Sequence, residues 1–429
     1  EFRRVLFRSG LIIIDEEHEP SYKQYDPAPR YHARDTAIVL GNIFKAKVIL
    51  GSATPSIESY HNALAHKYGL TEMKRRFADI ELPQIKIVDL KEAYRKKKMK
   101  ASISEDMLNE LRQALNRNEQ VILFQNRRGV ATILQCKQCA WIPQCINCDV
   151  SLTYHKQQNI LLCHYCGYKT TVPQSCKACR SNDLRMSGIG TERLEEDLSV
   201  FFPEKRIARL DIDTARTRHQ YQQLLNDFEN GNIDILVGTQ MVTKGLDFDN
   251  VSTVGVINAD SLMSYPDFRA AERAFQLMSQ VSGRSGRKKK RGEVLIQTYN
   301  AASRLLTFVA AHDYSGFYKY EIDERKRYNY PPYCRIIEIN VKHKEMHTAH
   351  DGAEFLASML RQQFNKRVLG PVMPVVARIS NYYIRTIMIK VEKEISIKEV
   401  KKAIVLCIDQ TNALPAYKNC IMQIDVDPV

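Results

Sequence analysis

Gly10-Leu-Ile-Ile-Ile-Asp15-Glu16-Glu17-His18 is the stretch on which the fold class turns. An unbroken apolar run ending in an acidic cluster reads as a buried strand, the pattern of a sheet covered on both faces. A second run, Lys47-Val-Ile-Leu-Gly51, follows a helical stretch from about Asp35 to Phe44. Strand, helix, strand predicts a parallel α/β sheet. Such sheets place ligands beyond the carboxyl ends of their strands, where Asp15 to His18 fall. One carboxylate there can hold Mg²⁺, directly or through water, while its neighbour orients and deprotonates an attacking water. The bland reading of the same residues is a solvated strand end.

Further along, Gly51-Ser-Ala-Thr-Pro-Ser56 leaves the second strand. Its small hydroxyl residues are placed to hydrogen-bond phosphates or the acidic cluster, or simply to form a turn. After Gly69 the pattern loosens into a connector, basic from Lys91 to Lys100. A helix from Ser104 to Asn116 leads to the strand Gln120–Gln125. After a cysteine-rich interruption, the α/β pattern resumes. It has a helix near Thr191 to Phe201 and strands near Arg206–Leu210, Asp234–Val237, Val254–Ile257 and Gly292–Thr298. Residues 301–328 look helical, Tyr330-Pro-Pro-Tyr333 is a break, and a small α+β domain with strands at Arg335–Val341 and Tyr383–Val391 closes the chain.

Before the last α/β strand lies Gln280-Val-Ser-Gly-Arg284-Ser-Gly-Arg287. Two arginines three apart share a helical side, and glycines permit close approach. Arginine from a second lobe can supply charge to a γ-phosphate transition state. The alternative is a basic surface continuous with Lys288-Lys-Lys-Arg291. Between Ser21 and Asp35, Tyr22, Tyr25 and Tyr31 alternate with Lys23, Arg30 and Arg34. Aromatic rings there can stack on unpaired bases while cations meet the backbone, although a packed surface loop has the same composition.

Eight of the eleven cysteines fall between residues 136 and 179, in the pattern Cys136-x2-Cys139-x5-Cys145-x2-Cys148-x14-Cys163-x2-Cys166-x9-Cys176-x2-Cys179. Each knuckle offers two thiolates to one ion and two knuckles complete a tetrahedral shell, so eight ligands imply two structural Zn²⁺. His155 and His164 read as bystanders. Four knuckles pair in three ways, and spacing does not choose among them. Clustered knuckles point to metal in a reducing cytosol rather than to disulfides of a secreted chain. No apolar run is long enough for a membrane span, and no cleavable signal opens the chain. The 429 residues carry a net charge of +14, which favours a polyanionic partner.

Taken in order, the acidic box, Gly51–Ser56, Gly238-Thr-Gln-Met-Val-Thr-Lys-Gly245-Leu-Asp247-Phe248 and the arginine segment resemble motifs II, III, V and VI of superfamily 2 helicases. With the eight cysteines, Asn126-Arg127-Arg128-Gly129, the aromatic loop, Pro331-Pro-Tyr333 and Ile424-Asp-Val-Asp-Pro428, the chain resembles the replication-restart DNA helicases of the PriA family from about Gly10 to its end. The resemblance implies an α/β fold of two RecA-like lobes, the first partial, with an inserted two-zinc Cys-rich module and a C-terminal α+β domain. The expected divisions are 1–90 (first lobe and connector), 91–135 and 183–300 (second lobe), 136–182 (zinc insertion), 301–330 (helical linker) and 331–429 (DNA-binding domain).

The resemblance also assigns roles. Asp15 serves Mg²⁺ with ATP, Glu16 is the general base, and His18 couples to Ser52 and Thr54. Arg284 and Arg287 reach the phosphates, while Gln280, Gly245 and Asp247 line the nucleotide cleft. Tyr22, Lys23, Gln24, Tyr31, Arg127 and Arg128 face DNA. A nested zinc pairing is implied: Cys136, Cys139, Cys176 and Cys179 on one ion, Cys145, Cys148, Cys163 and Cys166 on the other. The implied activity is ATP-driven 3′ to 5′ unwinding of stalled or branched forks, and help in loading the replicative helicase. Implied partners are single-stranded and duplex DNA, single-stranded DNA-binding protein and other primosome proteins, in the cytoplasm at the nucleoid. The sequence has no initiating Met and no Gly-x-x-x-x-Gly-Lys-Thr loop, and Glu1 to Ser9 do not look like family sequence. The expectation is therefore an N-terminally truncated chain, inactive alone. The alternative reading is a zinc-dependent nucleic-acid-binding or scaffold module with relic helicase lobes.

Overall fold

The computed structural model describes residues 9–73, 81–126, 133–139, 141–148, 150–155, 158–187, 191–211, 214–215, 217–243, 248–286 and 291–428. Arg127, Arg128, Gly245, Asp247 and Arg287 lie outside the described residues. The chain divides into two compact units: residues up to 71 with 164–167 and 322–429, and residues 72–163 with 168–321.

In the first unit, β1 (Leu11–Ile14) and β2 (Lys47–Leu50) pair in parallel, with Leu11 opposite Lys47 and Ile14 opposite Leu50. The crossover between them is α1 (Ala33–Phe44), which ends where Lys45 adopts a left-handed conformation. Helix α2 (Ile57–Leu64) begins at Ser56, whose side chain accepts from the Ser59 amide, so the end of Gly51–Ser56 is a helix cap.

The second unit is built on a parallel sheet of six strands. They are β3 (Gln84–Asp89), β6 (Gln120–Phe124), β12 (Ile207–Leu210), β13 (Ile235–Gly238), β14 (Val251–Val256) and β15 (Glu293–Thr298), in the order β12-β13-β6-β14-β15-β3. Val121, Ile122, Leu123 and Phe124 are all at most 1% exposed, as a strand covered on both faces requires. Helices α3 (Leu90–Arg95), α4 (Glu105–Asn116), α5 (Thr191–Phe201), α6 (Arg218–Glu229), α7 (Asp260–Met263) and α8 (Ala270–Ser282) accompany the sheet, and a small hairpin of β4 (Met99–Lys100) and β5 (Ile103–Ser104) precedes α4. Ser104 caps α4 by accepting from the Met107 amide at 3.2 Å. Met107, Leu108, Leu111 and Leu115 then repeat at helical spacing into a core shared with Val121, Leu123, Leu198 and Val237.

Two readings are corrected. The apolar run before Asp15 is not a strand covered on both faces: Leu11 and Ile13 of β1 and Ile49 of β2 are exposed, and only Ile14 is buried, because among the described residues its sheet has two strands and leaves one face open. The stretch taken as a connector contains β3 and α3, and β3 pairs with β15 along its whole length. It is an edge strand in which Gln84 and Lys86 interrupt the apolar residues, so its pattern is diluted. Lys86 reaches Glu110 and Glu293 at 3.2 and 3.1 Å.

The cysteine-rich segment forms its own five-stranded sheet of β7 (Ile133–Cys136), β8 (Thr153–His155), β9 (Ile160–Leu162), β10 (Lys169–Thr171) and β11 (Leu184–Ser187), ordered β10-β9-β8-β7-β11. Its first and last strands are antiparallel neighbours, Cys136 opposite Leu184. Helices α9 (Arg304–Ala310) and α10 (Tyr314–Arg327) follow β15. In the first unit the chain ends in an antiparallel sheet of β16 (Cys334–His343), β17 (Val368–Val372), β18 (Arg378–Ile379), β19 (Tyr382–Glu392) and β20 (Ile421–Val426). It is packed by α11 (Met346–Phe364) and α12 (Ile397–Asn412) around Ile337, Ile339, Leu356, Leu360, Ile387 and Ile404. No helix among the described residues is long and apolar enough to cross a membrane. The fold class is thus α/β: a six-stranded parallel sheet carrying a Cys-rich insertion, a two-stranded parallel piece, and a C-terminal α+β domain.

Candidate functional site

The acidic box begins where β1 ends. Asp15 is exposed, and its Oδ1 accepts the Glu16 amide at 3.0 Å. Glu16 sits at φ 48°, a left-handed conformation that a non-glycine residue holds only when its surroundings enforce it. The following amide, Glu17, donates to the Gly51 carbonyl at 3.1 Å, and Gly51 donates to Ile14 at 2.8 Å, so the exits of β1 and β2 are stitched together. His18 is 9% exposed, with Nδ1 2.7 Å from Ser52 Oγ and 3.6 Å from Glu16 Oε2. The Thr54 amide donates to the same Ser52 Oγ at 3.0 Å. Structure therefore brings His18, Ser52 and Thr54 together, with Ser52 as the middle member.

Glu17 had no assigned role from sequence, yet four donors converge on it. It is 1% exposed and accepts from the Ser56 amide (2.6 Å), Ser56 Oγ (3.1 Å), Ser59 Oγ (2.8 Å) and Arg34 (3.0 Å). Burial pulls the Arg34 guanidinium down, but Asp35 and Glu17 outweigh it and leave its pKa raised, so the guanidinium stays charged. The nearest sequence signal is Ser56-x-x-Ser59 at a helix start, whose hydroxyls face this carboxylate rather than a phosphate.

In the aromatic loop, Tyr22 donates its hydroxyl to the Asp15 carbonyl at 2.7 Å; burial, then Asp15, Glu19 and Glu16, raise its pKa. Tyr25 and Tyr31 are 51% and 44% exposed. Lys23 departs from the expectation of a DNA-facing cation. It is 4% exposed, 2.6 Å from Asp425 Oδ1, and donates to the Val426 carbonyl at 2.8 Å. Its charge is neutralised inside the protein. The Gln24 amide is likewise occupied, donating to the carbonyls of Pro27 (2.7 Å) and Pro29 (3.0 Å).

In the second unit, the arginine segment follows α8, where Gly283 caps the helix and Arg284 is half-buried. Ser285 is fully buried and donates to the Ser252 carbonyl at 2.7 Å; Gly286, at φ 71°, donates to Val251 at 3.1 Å. The Gly286 conformation is one a side chain resists, which accounts for that glycine. Gln280 is half-buried on α8.

The cysteines gather in two groups of four, with sulfurs in each group within 4.8 Å of one another: Cys136, Cys139, Cys176 and Cys179, and Cys145, Cys148, Cys163 and Cys166. This is the nested pairing. The pairing of β7 with β11 brings the outer knuckles together, and the β8-β9-β10 meander gathers the inner ones. Separations of 3.6 Å (Cys136–Cys179) and 3.4 Å (Cys139–Cys176) are far beyond a disulfide bond, and no described cysteine is in a disulfide. They approach the roughly 3.8 Å between thiolates that share a tetrahedral zinc at about 2.3 Å. Amides of Asn147 and Ala178 donate to the Cys145 and Cys176 sulfurs at 3.4 Å, stabilising thiolate. Burial raises the Cys139 thiol to about 12, and hydrogen bonds from Cys145 and Cys163, with burial, raise Cys148. At Cys176 burial is outweighed by the Cys179 and Ala178 amides, which lower the thiol to about 7. Thiols so crowded lose their protons to a cation, and each shell fits one zinc ion with no open position. His155 and His164 stand outside both shells; His164 Nδ1 instead bonds the Met373 carbonyl.

Comparison with known proteins adds three family matches. Residues 145–170 match the PriA DNA helicase Cys-rich region, 326–429 the primosomal protein N C-terminal domain, and 188–289 the helicase conserved C-terminal domain. The replication restart protein PriA of Bacillus subtilis is 39% identical over 421 residues, covering 98% of this chain and 52% of that protein. Its counterpart in Synechocystis is 37% identical over 98% of this chain and 51% of its own length, and that of Chlamydia pneumoniae 40% identical over 85% and 49%. The chain spans about half the length of these curated relatives.

Proposed function

The chain belongs to the PriA family of replication restart proteins, and from that premise we propose that it carries the motor and zinc parts of an ATP-driven DNA helicase that unwinds branched forks 3′ to 5′ and helps load the replicative helicase. The observation that carries the reading is the His18–Ser52 hydrogen bond of 2.7 Å, which joins the acidic box to the strand exit that follows it in the fold. Asp15 would hold Mg²⁺, which supplies charge neutralisation to the phosphates when bound. The exposed Asp15, whose Oδ1 is held by the Glu16 amide, offers its carboxylate for that role. Glu16 takes the proton from the attacking water. His18 and Ser52 transmit the state of the box to Thr54. Arg284 and Arg287, aided by Gln280, Gly245 and Asp247, bring positive charge and cleft lining from the second lobe. Tyr22, Tyr31, Arg127 and Arg128 serve DNA, and Gln24 and Lys23 hold the aromatic loop in the shape that DNA meets. The net charge of +14 supports a nucleic-acid partner, in forked, single-stranded and duplex forms. Single-stranded DNA-binding protein and other primosome proteins complete the partners, at the nucleoid.

The test is unwinding of a forked duplex by the complete protein. Glu16→Gln is expected to lower DNA-stimulated hydrolysis and unwinding about 100-fold or more while fork binding persists. Unimpaired hydrolysis by that variant would remove Glu16 from the mechanism. The 429 residues contain no Gly-x-x-x-x-Gly-Lys-Thr loop, so this chain alone is expected to bind forks yet hydrolyse little ATP. Normal DNA-stimulated turnover by the chain alone would overturn that expectation.

A further inference from the structure

Tyr22 and Lys23 are adjacent, and they hold opposite things. Tyr22 donates to the main-chain carbonyl of Asp15 at 2.7 Å. Lys23 points into the C-terminal sheet, where Asp425 Oδ1 lies at 2.6 Å and the Val426 and Asp427 carbonyls accept at 2.8 and 3.3 Å. The Arg30 side chain also reaches that strand, at the Ile424 carbonyl (3.5 Å). Between these two holds the loop is tied to itself: the Gln24 side chain donates to Pro27 and Pro29, and its backbone N–H donates to the Tyr31 carbonyl at 2.9 Å. The anchor end is itself fixed. β20 pairs with β16, with Asp425 opposite Glu338, and Asp427 exchanges hydrogen bonds with Ile336. Lys23 and Asp425 are 4% and 8% exposed. A buried charge left without its partner is strongly unfavourable, so the pair is made or the loop leaves.

We propose that Asp425 is a positioning residue: through Lys23 it fixes the loop whose Tyr22 grips the acidic box, so that a shift of the C-terminal sheet reaches the Asp15 carbonyl. The loop is then a two-ended strut. One end reports the state of the C-terminal domain, and the other sets the backbone of the residue assigned to Mg²⁺. A rearrangement of the sheet by bound DNA loosens or tightens the box without any DNA contact there. The strut rests on geometry alone, whereas its effect on turnover rests on the function proposed above.

Hydrogen–deuterium exchange on this chain separates the two. Asp425→Asn is expected to accelerate exchange roughly tenfold both in residues 20–32 and in residues 15–18. Lys23→Met gives the same pattern, and Asp409→Asn, an exposed carboxylate of α12, gives none. Tyr22→Phe, which removes only the hydroxyl, accelerates residues 15–18 and spares residues 23–32. Faster exchange in 20–32 with 15–18 unchanged in Asp425→Asn would show an anchor without transmission and overturn the proposal. No change in either segment, or faster exchange across the whole first unit, would overturn it too. In the complete protein, Asp425→Asn is expected to reduce the ratio of DNA-stimulated to basal hydrolysis about tenfold, with basal turnover kept. If Glu16→Gln hydrolyses normally, the assignment of the box fails while the exchange result stands.

Discussion

One carboxylate, Glu17, accepts from two serine hydroxyls, a backbone amide and a guanidinium. Glu17→Ala would leave the largely buried Arg34 with Asp35 as its remaining carboxylate partner and several donors without an acceptor, and is expected to cost the first unit roughly 1–3 kcal/mol. Urea unfolding followed through that unit measures it; Glu17→Gln, which keeps the serine bonds, should cost less. Asp15, Glu16 and His18 were legible in the sequence because they stand together at the end of an apolar run. Glu17 stands among them, yet its partners lie 17 to 42 residues away. Nothing local distinguishes a carboxylate that faces solvent from one that faces its own fold. Lys23 is the same lesson with opposite charge: its partner is 402 positions on, at Asp425. At Gly238, an added Cβ would lie 2.1 Å from Val242 Cγ1 and 3.2 Å from the Leu210 carbonyl. Gly238→Ala is expected to destabilise the second unit by about 1–3 kcal/mol, read as a lower urea midpoint.

Elements with their own strong pattern were legible, and those held by something else were not. Helix α4 shows its cap, its acidic first turn and its apolar stripe in sequence. Leu111, fully buried on that stripe, should cost roughly 2–5 kcal/mol when cut to Ala, measured by denaturant unfolding. By contrast, β8, β9 and β10 are three residues each. Strands so short do not order themselves; the sulfur shells beside them do the work an apolar core would do. The ligands were legible from spacing, and their pairing needed the sheet. Metal analysis should find two zinc ions per chain. Cys176→Ala is expected to leave about one, and a strong chelator to collapse the five-stranded sheet while the six-stranded one survives, seen as loss of exchange protection limited to residues 133–187. β3 escaped notice because its polar positions hide an edge strand, not because it is marginal: all six of its residues pair with β15.

Across the whole molecule, the charge excess of +14 predicts fork affinity that falls steeply and linearly on logarithmic axes as salt rises. A titration of fork binding from low to moderate salt checks it, and a flat response would place the excess away from the nucleic-acid surface. The order of motifs along the chain made the helicase architecture readable at this scale, since each occupies a strand exit or helix end that recurs in sequence. The antiparallel pairing of β7 and β11 has a last consequence. The zinc-bearing segment leaves the helicase lobe and returns to it through two touching strands, so its doorway is only two chains wide. Excised after β7 and spliced to β11 by a short glycine turn, it should leave the six-stranded sheet folded, read as unchanged exchange protection in residues 120–124 and 235–238.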